Sequence, residues 1–232
     1  MIYRKIALIS DVHLSENDQM MTDDFCSLIN TLPKDIEALF ILGDLFDQWL
    51  GDDMMSGFHL KIAKTLAPLS RPCFFLPGNR DFLPNDQWCA LANVQRIPET
   101  HLIQVGSKKI VLIHGDELCL LDRSYQIYRS IVRKPLVQKL FLSLPQWIRK
   151  RIAQNLKRNT HSKREKPASQ YAPVDTEITR LIENNNAQIL VHGHIHQPGI
   201  YPDQNYTRVV LPDWRPNSLK ASFICENKIM IT

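Results

Sequence analysis

Short apolar runs recur along the chain, and segments with helical spacing separate them. The runs typical of buried strands are residues 5–10, 38–42, 73–76, 110–113 and 189–191. The segments that predict amphipathic helices are residues 23–32, 58–66, 84–93 and 176–184. Pro84 is expected in the first turn of its helix, where its missing amide hydrogen costs little. Strands that alternate with helices predict an α/β fold.

This alternation is interrupted once and then changes character. Residues 121–167 stand between two predicted strands and lack a strand pattern, so we interpret them as a helical insertion within a single domain of residues 1–232. The last strand-like runs, at 207–211, 222–225 and 229–232, predict a second sheet region.

The composition is that of a folded protein in a reducing compartment. Hydrophobic residues make up 44% and charged residues 22% of the 232 residues, which excludes a disordered chain. The five cysteines are odd in number and have no C-x-x-C spacing, which argues against a disulfide framework or a zinc ribbon. The apolar run before Asp11 is short for a secretory leader, and no run approaches the ~20 residues of a spanning helix. We therefore expect a cytosolic protein that touches a membrane without crossing it.

The net charge of +4 hides an uneven distribution of charge. The insertion carries thirteen Lys and Arg residues but only two acidic residues, Asp122 and Glu165, whereas acids outnumber bases in the rest of the chain. A strongly basic segment favours an anionic partner.

The insertion is apolar as well as basic. Leu136, Val137, Leu140, Phe141 and Leu144 have the spacing of one helix face, and Trp147, Ile148 and Ile152 continue an apolar surface beside Arg149, Lys150 and Arg151. Such a segment is typical of a membrane-surface helix or of a lid over an amphiphilic ligand. Two alternatives remain open: a hairpin that only packs on the domain, and a segment that binds the phosphates of nucleic acids.

Polar residues suited to a metal ion follow each of the five buried runs. Seven side chains are candidate ligands: Asp11, His13, Asp44, Asn79, His114, His194 and His196. Because ligands in α/β folds collect at the carboxyl ends of strands, we expect these side chains to converge. Nitrogen and oxygen donors suit manganese, iron, cobalt or zinc. Seven donors are too many for one ion and suit two ions that share a carboxylate, the arrangement used in phosphoester hydrolysis.

Each of these motifs has an ordinary explanation when it is taken alone. Gly-Asp and Gly-Asn are common turns, and His114 alone fits a core histidine. His192, His194 and His196 would point to one side of an extended chain, yet His192 has no ligand role in this scheme. The order of the motifs at five successive strand ends is what favours a metal site.

The order D-x-H, G-D, G-N-x-D, H and G-H-x-H resembles the signature of the calcineurin-like metallophosphoesterases. The resemblance implies a four-layer αββα sandwich of two mixed sheets, with the insertion as a helical lid. It also implies that Asp11, His13, Asp44 and His196 hold one metal ion. Asp44, Asn79, His114 and His194 would then hold the other, with Asp44 as the bridge.

One residue departs from the general signature. The family usually has G-N-H-D, whereas this chain has Arg80 between Asn79 and Asp81. Arginine cannot act as a general acid at neutral pH, but its planar guanidinium suits a phosphate. This indicates electrostatic stabilisation of a leaving group that needs little protonation, such as a phosphate. Asp81 is expected to orient Arg80 or a metal ligand.

A narrower resemblance covers essentially the whole chain. The segments 43–53, 78–82, 114–119 and 140–153 are similar to those of the UDP-2,3-diacylglucosamine pyrophosphatases of lipid A biosynthesis. The resemblance implies a peripheral enzyme on the cytoplasmic face of the inner membrane. It would use two Mn²⁺ ions to direct water at the α-phosphorus, releasing UMP and 2,3-diacylglucosamine 1-phosphate (lipid X).

The resemblance also implies roles for individual residues. Arg80, Asp44 and His114 are the predicted catalytic residues. The predicted substrate contacts are Asn79, Arg80, Asp122, Tyr125, Thr160, Lys163, Arg164, Lys166 and His194. Pro167 replaces a family lysine and Pro212 a family glycine.

Two other functions remain as alternatives. One is a soluble phosphodiesterase or dinucleotide polyphosphate hydrolase of the same superfamily. The other is a binding module for membranes or nucleic acids whose metal site is vestigial. We expect a UDP-diacyl-sugar lipid and an anionic membrane surface as partners, no nucleic acid, and a monomer.

Overall fold

The computed structural model describes residues 2–162, 171–215, 221–226 and 228–231, without the side chains of residues 158–162. Twelve strands lie in these ranges: β1 (Ile2–Tyr3), β2 (Lys5–Ile9), β3 (Ala38–Leu42), β4 (Cys73–Leu76), β5 (Val94–Arg96), β6 (Thr100–Val105), β7 (Lys108–Ile113), β8 (Ile189–His192), β9 (Gly199–Pro202), β10 (Thr207–Val210), β11 (Ser222–Cys225) and β12 (Lys228–Met230). The same ranges contain seven α-helices: α1 (Gln19–Thr31), α2 (Gly57–Leu66), α3 (Asp86–Ala92), α4 (Arg123–Val132), α5 (Pro135–Leu142), α6 (Gln146–Ser162) and α7 (Asp175–Asn185).

The strands form two mixed sheets of six strands each. The first sheet has the order β12-β11-β2-β3-β4-β5, in which β2 to β5 are parallel neighbours joined by helices α1 to α3. The second sheet has the order β1-β6-β7-β8-β10-β9, in which β7, β8 and β10 are parallel. Parallel neighbours bring their carboxyl ends to one edge of each sheet.

Alternation along the strands produces the layers. On β3, Ala38, Phe40 and Leu42 face a core between the two sheets, whereas Leu39 and Ile41 face a core beneath α1, α2 and α3. On β7, Val111 and Ile113 face α7 on the far side of the second sheet. A strand buried on both faces has no polar positions, which is why these runs are continuously apolar. The predicted four-layer αββα sandwich is confirmed.

Helices α4, α5 and α6 form the described part of the insertion, between β7 and β8. The rest of the chain, called the body here, comprises the two sheets with α1–α3 and α7. The predicted single apolar stripe is divided in the structure: Phe141 packs against the core beneath α1–α3, while Leu136 and Leu140 are exposed. The alternative in which the insertion packs on the body is therefore correct for one part of its surface.

Several predicted boundaries shift for physical reasons. Helix α1 begins four residues early, because the Asp18 side chain accepts a hydrogen bond from the Met21 amide and caps it. Helix α3 begins at Asp86 after Asn85, so the prediction that Pro84 lies in the first turn is wrong. The five cysteines lie within the described ranges and are free thiols. None of the described helices has the length and apolar composition needed to cross a membrane.

Candidate metal centre

The seven predicted ligands lie directly after strands of both sheets. Asp11 and His13 follow β2, Asp44 follows β3 and Asn79 follows β4; His114 follows β7, and His194 and His196 follow β8. Backbone bonds join the loops: the Asp11 amide donates to Gly43 (3.2 Å) and the Gly193 amide to His114 (2.8 Å). We call these seven side chains the candidate metal centre.

Five of the seven residues have a left-handed backbone. Their φ angles are 53° at Asp11, His13 and Asp44, 67° at His194 and 52° at His196. This conformation costs energy for residues with a side chain and persists only where the surrounding structure enforces it. The strain is concentrated at the carboxyl ends of β2, β3 and β8, as is common at functional sites.

Two glycines leave room for the carboxylates of the centre. A Cβ atom on Gly193 would overlap the Asp11 carboxylate and the Ser10 hydroxyl, and one on Gly78 would overlap the Asp44 carboxylate. These positions therefore need glycine because of close approach rather than a positive φ.

Asp11, His13 and His196 form one group of donors. The Asp11 Oδ1 atom lies 3.4 Å from His196 Nε2 and 3.9 Å from His13 Nε2. Both Asp11 Oδ1 and His13 Nδ1 are buried without a hydrogen-bond partner. Buried polar atoms are nearly always satisfied, so these orphaned atoms call for a ligand in the space they face.

Asn79, His114 and His194 form the second group. The Asn79 Oδ1 atom lies 2.9 Å from His114 Nε2 and 3.0 Å from His194 Nδ1. His114 Nδ1 lies 2.8 Å from the Leu42 carbonyl, which can only accept a hydrogen bond. From this contact we infer that a neutral His114 carries its proton on Nδ1, so the lone pair of Nε2 is left for a metal ion.

Asp44 lies between the two groups. Its Oδ2 atom is 3.7 Å from His13 Nδ1, and its Oδ1 atom is 3.7 Å from His114 Nε2. One oxygen thus faces each set of donors, which is the position expected of a bridging carboxylate. Sets of acids and histidines with ligand atoms within 4.8 Å of one another occur twice here, as Asp11 with His13 and His196, and as Asp11 with Asp44 and His114.

The electrostatics of the centre favour bound cations. Burial, together with the neighbouring carboxylates of Asp81 and Asp11, raises the pKa of Asp44 to about 7. Burial also lowers the pKa of His13 to about 4 and that of His194 to about 4, so both imidazoles are neutral at pH 7. The carboxylates of Asp44 and Asp11 outweigh the effect of burial on His114 and raise its pKa to about 9. Buried carboxylates together with imidazoles match the donor set of a divalent transition metal. The residues therefore fit two such ions.

Neighbouring side chains hold the ligands in place. Asp81 accepts hydrogen bonds from the backbone amides of Asp44 (3.1 Å), Phe46 (3.2 Å) and Gly78 (2.9 Å), so it orients a ligand rather than Arg80. Ser10, which the sequence did not single out, donates to Asp11 Oδ2 at 2.6 Å. Such contacts fix the direction in which a ligand presents its lone pairs.

Arg80 lies at the exposed side of the centre. Its backbone amide donates to Asp44 Oδ1 (2.9 Å), and its Nε atom lies 3.5 Å from Asp44 Oδ2. Its NH1 group donates to Asp47 Oδ1 at 2.8 Å. The side chain is 39% exposed, so its guanidinium is accessible to a ligand that approaches the centre.

Beyond Asn79, Arg80 and His194, which are described above, the predicted substrate contacts fall into three classes. Tyr125 lies beside the centre, with its ring centroid 6.4 Å from that of His194, and its hydroxyl donates to Asp116. Asp122 caps α4 by accepting from the Tyr125 amide (3.2 Å) and the Ser124 hydroxyl (2.8 Å). The Thr160 side chain and residues Lys163, Arg164 and Lys166 lie outside the described parts of the chain.

His192 departs from the sequence analysis. The extended chain ends at this residue, and the left-handed backbone at His194 and His196 then changes the direction of the loop. The expectation that the three histidines share one side of an extended chain is therefore wrong. His192 is fully buried, its Nδ1 atom lies 2.8 Å from the Gly193 carbonyl, and burial lowers its pKa to about 3.

Ion pairs join the insertion to the body beside the centre. Arg129 on α4 contacts Asp116 (2.8 Å) and Glu99 (2.6 Å), and Arg133 contacts Glu99 (2.8 Å). Arg149 on α6 is 2% exposed, and its NH1 group donates to the Leu50 carbonyl and to Asp53 Oδ1 (2.9 Å). The sequence analysis did not predict these ion pairs of Asp116 and Asp53, because their partners lie on helices of the insertion.

Known proteins resemble this chain in sequence. A family model described as calcineurin-like phosphoesterase matches residues 4–198. A UDP-2,3-diacylglucosamine hydrolase of Coxiella burnetii is 37% identical over 220 residues, covering 91% of this chain and 90% of the relative. A protein of the same name from Blochmanniella pennsylvanica is 40% identical over 204 residues, covering 84% of this chain and 80% of the relative.

A solved structure shares the fold at low sequence identity. A single mutant of Vps29 from Entamoeba histolytica superposes with a TM-score of 0.50 and 14% identity, covering 98% of this chain and 89% of that chain. At this identity the similarity concerns the sandwich alone.

Proposed function

The chain belongs to the calcineurin-like phosphoesterase family, and on that premise we propose that it hydrolyses the pyrophosphate bond of UDP-2,3-diacylglucosamine. The products would be UMP and 2,3-diacylglucosamine 1-phosphate (lipid X), an intermediate of lipid A biosynthesis. One observation carries the proposal: seven donor side chains converge beside an arginine and beneath an insertion that is both apolar and basic. The relatives named above, similar over most of their length, support the choice of substrate.

The metal ions of this proposal are two Mn²⁺. Asp11, His13, Asp44 and His196 would hold one ion, and Asp44, Asn79, His114 and His194 the other. When bound, such a pair supplies Lewis-acid activation of water and of the phosphoryl oxygens. Asp44 and His114 would act by fixing the position and charge of the site, since Asp44 Oδ1 lies 3.7 Å from His114 Nε2.

Arg80 would act on the phosphoryl oxygens of the substrate. Its guanidinium lies at the exposed rim of the centre, next to the bridging Asp44. A fixed cation aimed at developing negative charge lowers the barrier more than one that must reorganise. A phosphate leaving group needs little protonation, so arginine can replace the histidine that is usual at this position in the family.

The insertion, residues 121–167, would bind the acyl chains and the membrane surface. Leu136 is 78%, Leu140 67%, Trp147 65% and Ile127 63% exposed, a large apolar area for a protein surface. Lys139, Lys150 and Arg151 are exposed on the same helices, and Lys134 is exposed directly before α5. Apolar and basic groups together favour an anionic membrane, so we place the protein on the cytoplasmic face of the inner membrane, as a monomer without a nucleic-acid partner.

The sugar and the two phosphates would lie between the centre and the insertion. Tyr125 and His194 line this position together with Asn79. Asp122, Thr160, Lys163, Arg164 and Lys166 complete the proposed contacts.

The decisive experiment measures UMP release from UDP-2,3-diacylglucosamine by protein loaded with Mn²⁺. UDP-N-acetylglucosamine, which lacks the acyl chains, is the matched control. We expect hydrolysis of the diacyl substrate and little hydrolysis of the control. Equal turnover of both would favour a soluble phosphodiesterase, and no release by folded, manganese-loaded protein would refute the proposal.

A further inference from the structure

The Asp47 carboxylate forms ion pairs with two basic side chains that come from distant parts of the chain. Its Oδ1 atom accepts from Arg80 NH1 at 2.8 Å, and its Oδ2 atom accepts from Lys157 Nζ at 2.6 Å. Arg80 belongs to the loop after β4, whereas Lys157 belongs to α6 of the insertion. One carboxylate thus links the rim of the candidate metal centre to the insertion.

The backbone around Asp47 is held rigidly. The Asp47 amide donates to the Leu14 carbonyl at 2.9 Å, and the neighbouring Phe46 is fully buried and bonded to Asp81. The same segment holds Arg80 from both sides, because Asp44 accepts from the Arg80 amide and the Trp49 amide donates to the Arg80 carbonyl (3.1 Å). Asp47 is therefore a fixed point against which the guanidinium of Arg80 is oriented.

Lys157 reaches Asp47 because α6 is docked nearby. Arg149 and Lys157 are eight residues apart, about 12 Å along the helix and close to the same face. Ala153, midway between them, is buried. Arg149 is bonded to Leu50 and Asp53, a few residues beyond Asp47. Both contacts of α6 thus fall on the loop that follows β3.

Stability alone does not account for this pair of contacts. The Arg80 side chain is 39% exposed, that of Lys157 50% and that of Asp47 25%. Partly exposed ion pairs contribute little to folding. Two cations this close repel each other unless an anion separates them, and a carboxylate presents two oxygens much as a phosphate does. The arrangement is suited to holding two cations for an anionic ligand.

We infer that Asp47 is a positioning residue for Arg80, and that it brings Lys157 to the same rim as a second cation for the substrate diphosphate. Among the described residues no protein group accepts from Arg80 NH2, so this donor remains for a phosphoryl oxygen. The inference rests on the proposed function, because it assigns the recognition of the same diphosphate.

The test is a double-mutant cycle between Asp47→Asn and Arg80→Ala. If Asp47 acts through Arg80, Asp47→Asn lowers kcat by ~10-fold, the usual scale for losing a charge-assisted hydrogen bond. The same change has no further effect when Arg80 is already alanine. Asp47→Glu is expected to restore most of the loss. Additive effects in the double mutant, or an unchanged kcat in Asp47→Asn, would overturn the inference.

Matched controls separate positioning from folding. Asp35→Asn removes an exposed carboxylate that bonds Lys5 at 2.7 Å far from the centre, and it should leave kcat unchanged. Manganese content and Tm are measured for every variant. If Asp47→Asn does not fold, the inference is tested with Lys157→Met, since this variant keeps the hydrogen bond between Arg80 and Asp47. It should raise KM by roughly 3- to 10-fold, with Lys157→Arg restoring it; an unchanged KM would contradict the inference.

Each variant is assayed on UDP-2,3-diacylglucosamine and on bis(p-nitrophenyl) phosphate. Wild-type protein that hydrolyses only the second compound refutes the proposed function, while the cycle can still be read on that compound. Release of UMP with an additive cycle refutes the inference alone. Hydrolysis of neither compound by manganese-loaded protein refutes both.

Discussion

The candidate metal centre and the insertion beside it hold their charged groups in opposite ways. At the centre, Asp11, Asp44 and His114 are almost fully buried and fixed by strand ends. On the insertion, charged groups are exposed or paired with body carboxylates, and large apolar side chains face solvent. On the proposed function, the difference would separate two tasks: the rigid sandwich would fix the chemistry, and the helices would select what reaches it.

The strongest way to test this division is to remove the bridging carboxylate. We expect Asp44→Ala to reduce activity by at least ~10³-fold, because it removes a donor from both groups and a preorganised charge from the site. Elemental analysis should show less than two manganese ions per chain. A manganese content near two in this variant would contradict the bridging role of Asp44.

Replacing Arg80 tests the rim between the two regions. Arg80→Ala should lower kcat by ~10²-fold, the scale seen when one preorganised donor to a transition-state oxyanion is removed. Manganese content should not change, since Arg80 donates to Asp44 through its backbone amide, which alanine keeps. Loss of metal together with activity would mean that Arg80 acts on the structure of the centre instead.

Changing the apolar surface tests the insertion alone. The double variant Leu140→Ser/Trp147→Ser should raise KM for the diacyl substrate by about 10-fold, because two large side chains would no longer bury apolar surface against the acyl chains. Turnover of bis(p-nitrophenyl) phosphate should stay at the wild-type level. Leu102→Ser, which changes a side chain that is 44% exposed on β6, is the matched control. Equal losses on both substrates would argue against contact with the acyl chains.

The smallest expected effect comes from loosening the joint between the regions. Arg149→Met should lower the free energy of unfolding by about 1–3 kcal/mol, because the Leu50 carbonyl and Asp53 lose a charged donor. Arg151→Met, two residues away and exposed, should change stability little. Thermal or denaturant unfolding compares the two variants. Identical unfolding curves would show that the Arg149 contacts do not hold α6 on the body.

The sequence predicts the body better than the insertion, for a physical reason. Strands buried on both faces, such as β3 and β4, are continuously apolar and were predicted at their observed bounds. The short or partly exposed strands β1, β5, β6 and β9 lack this pattern and were missed. Because ligands follow the buried strands, the residues of the centre could be named from the order of motifs.

Contacts between residues that are far apart in the sequence could not be predicted in this way. Lys157 meets Asp47 across 110 residues of chain, and Arg149 meets Asp53 across 96. Neither spacing has a signature, since the docking of α6 on the loop after β3 decides both. The turn of the chain after His192 was missed for a related reason, because the left-handed backbone at His194 and His196 is imposed by neighbouring loops.

The origin of the ligands in two sheets also governs how the protein must be assembled. Asp11 accepts a hydrogen bond from the His194 amide, 183 residues later in the chain. Contacts of such separation form slowly, since the intervening loop must close first. The metal pair can therefore bind tightly only after both sheets have docked. Manganese uptake during refolding would then report the last step of assembly, and chelation would slow the gain of stability without blocking the formation of either sheet.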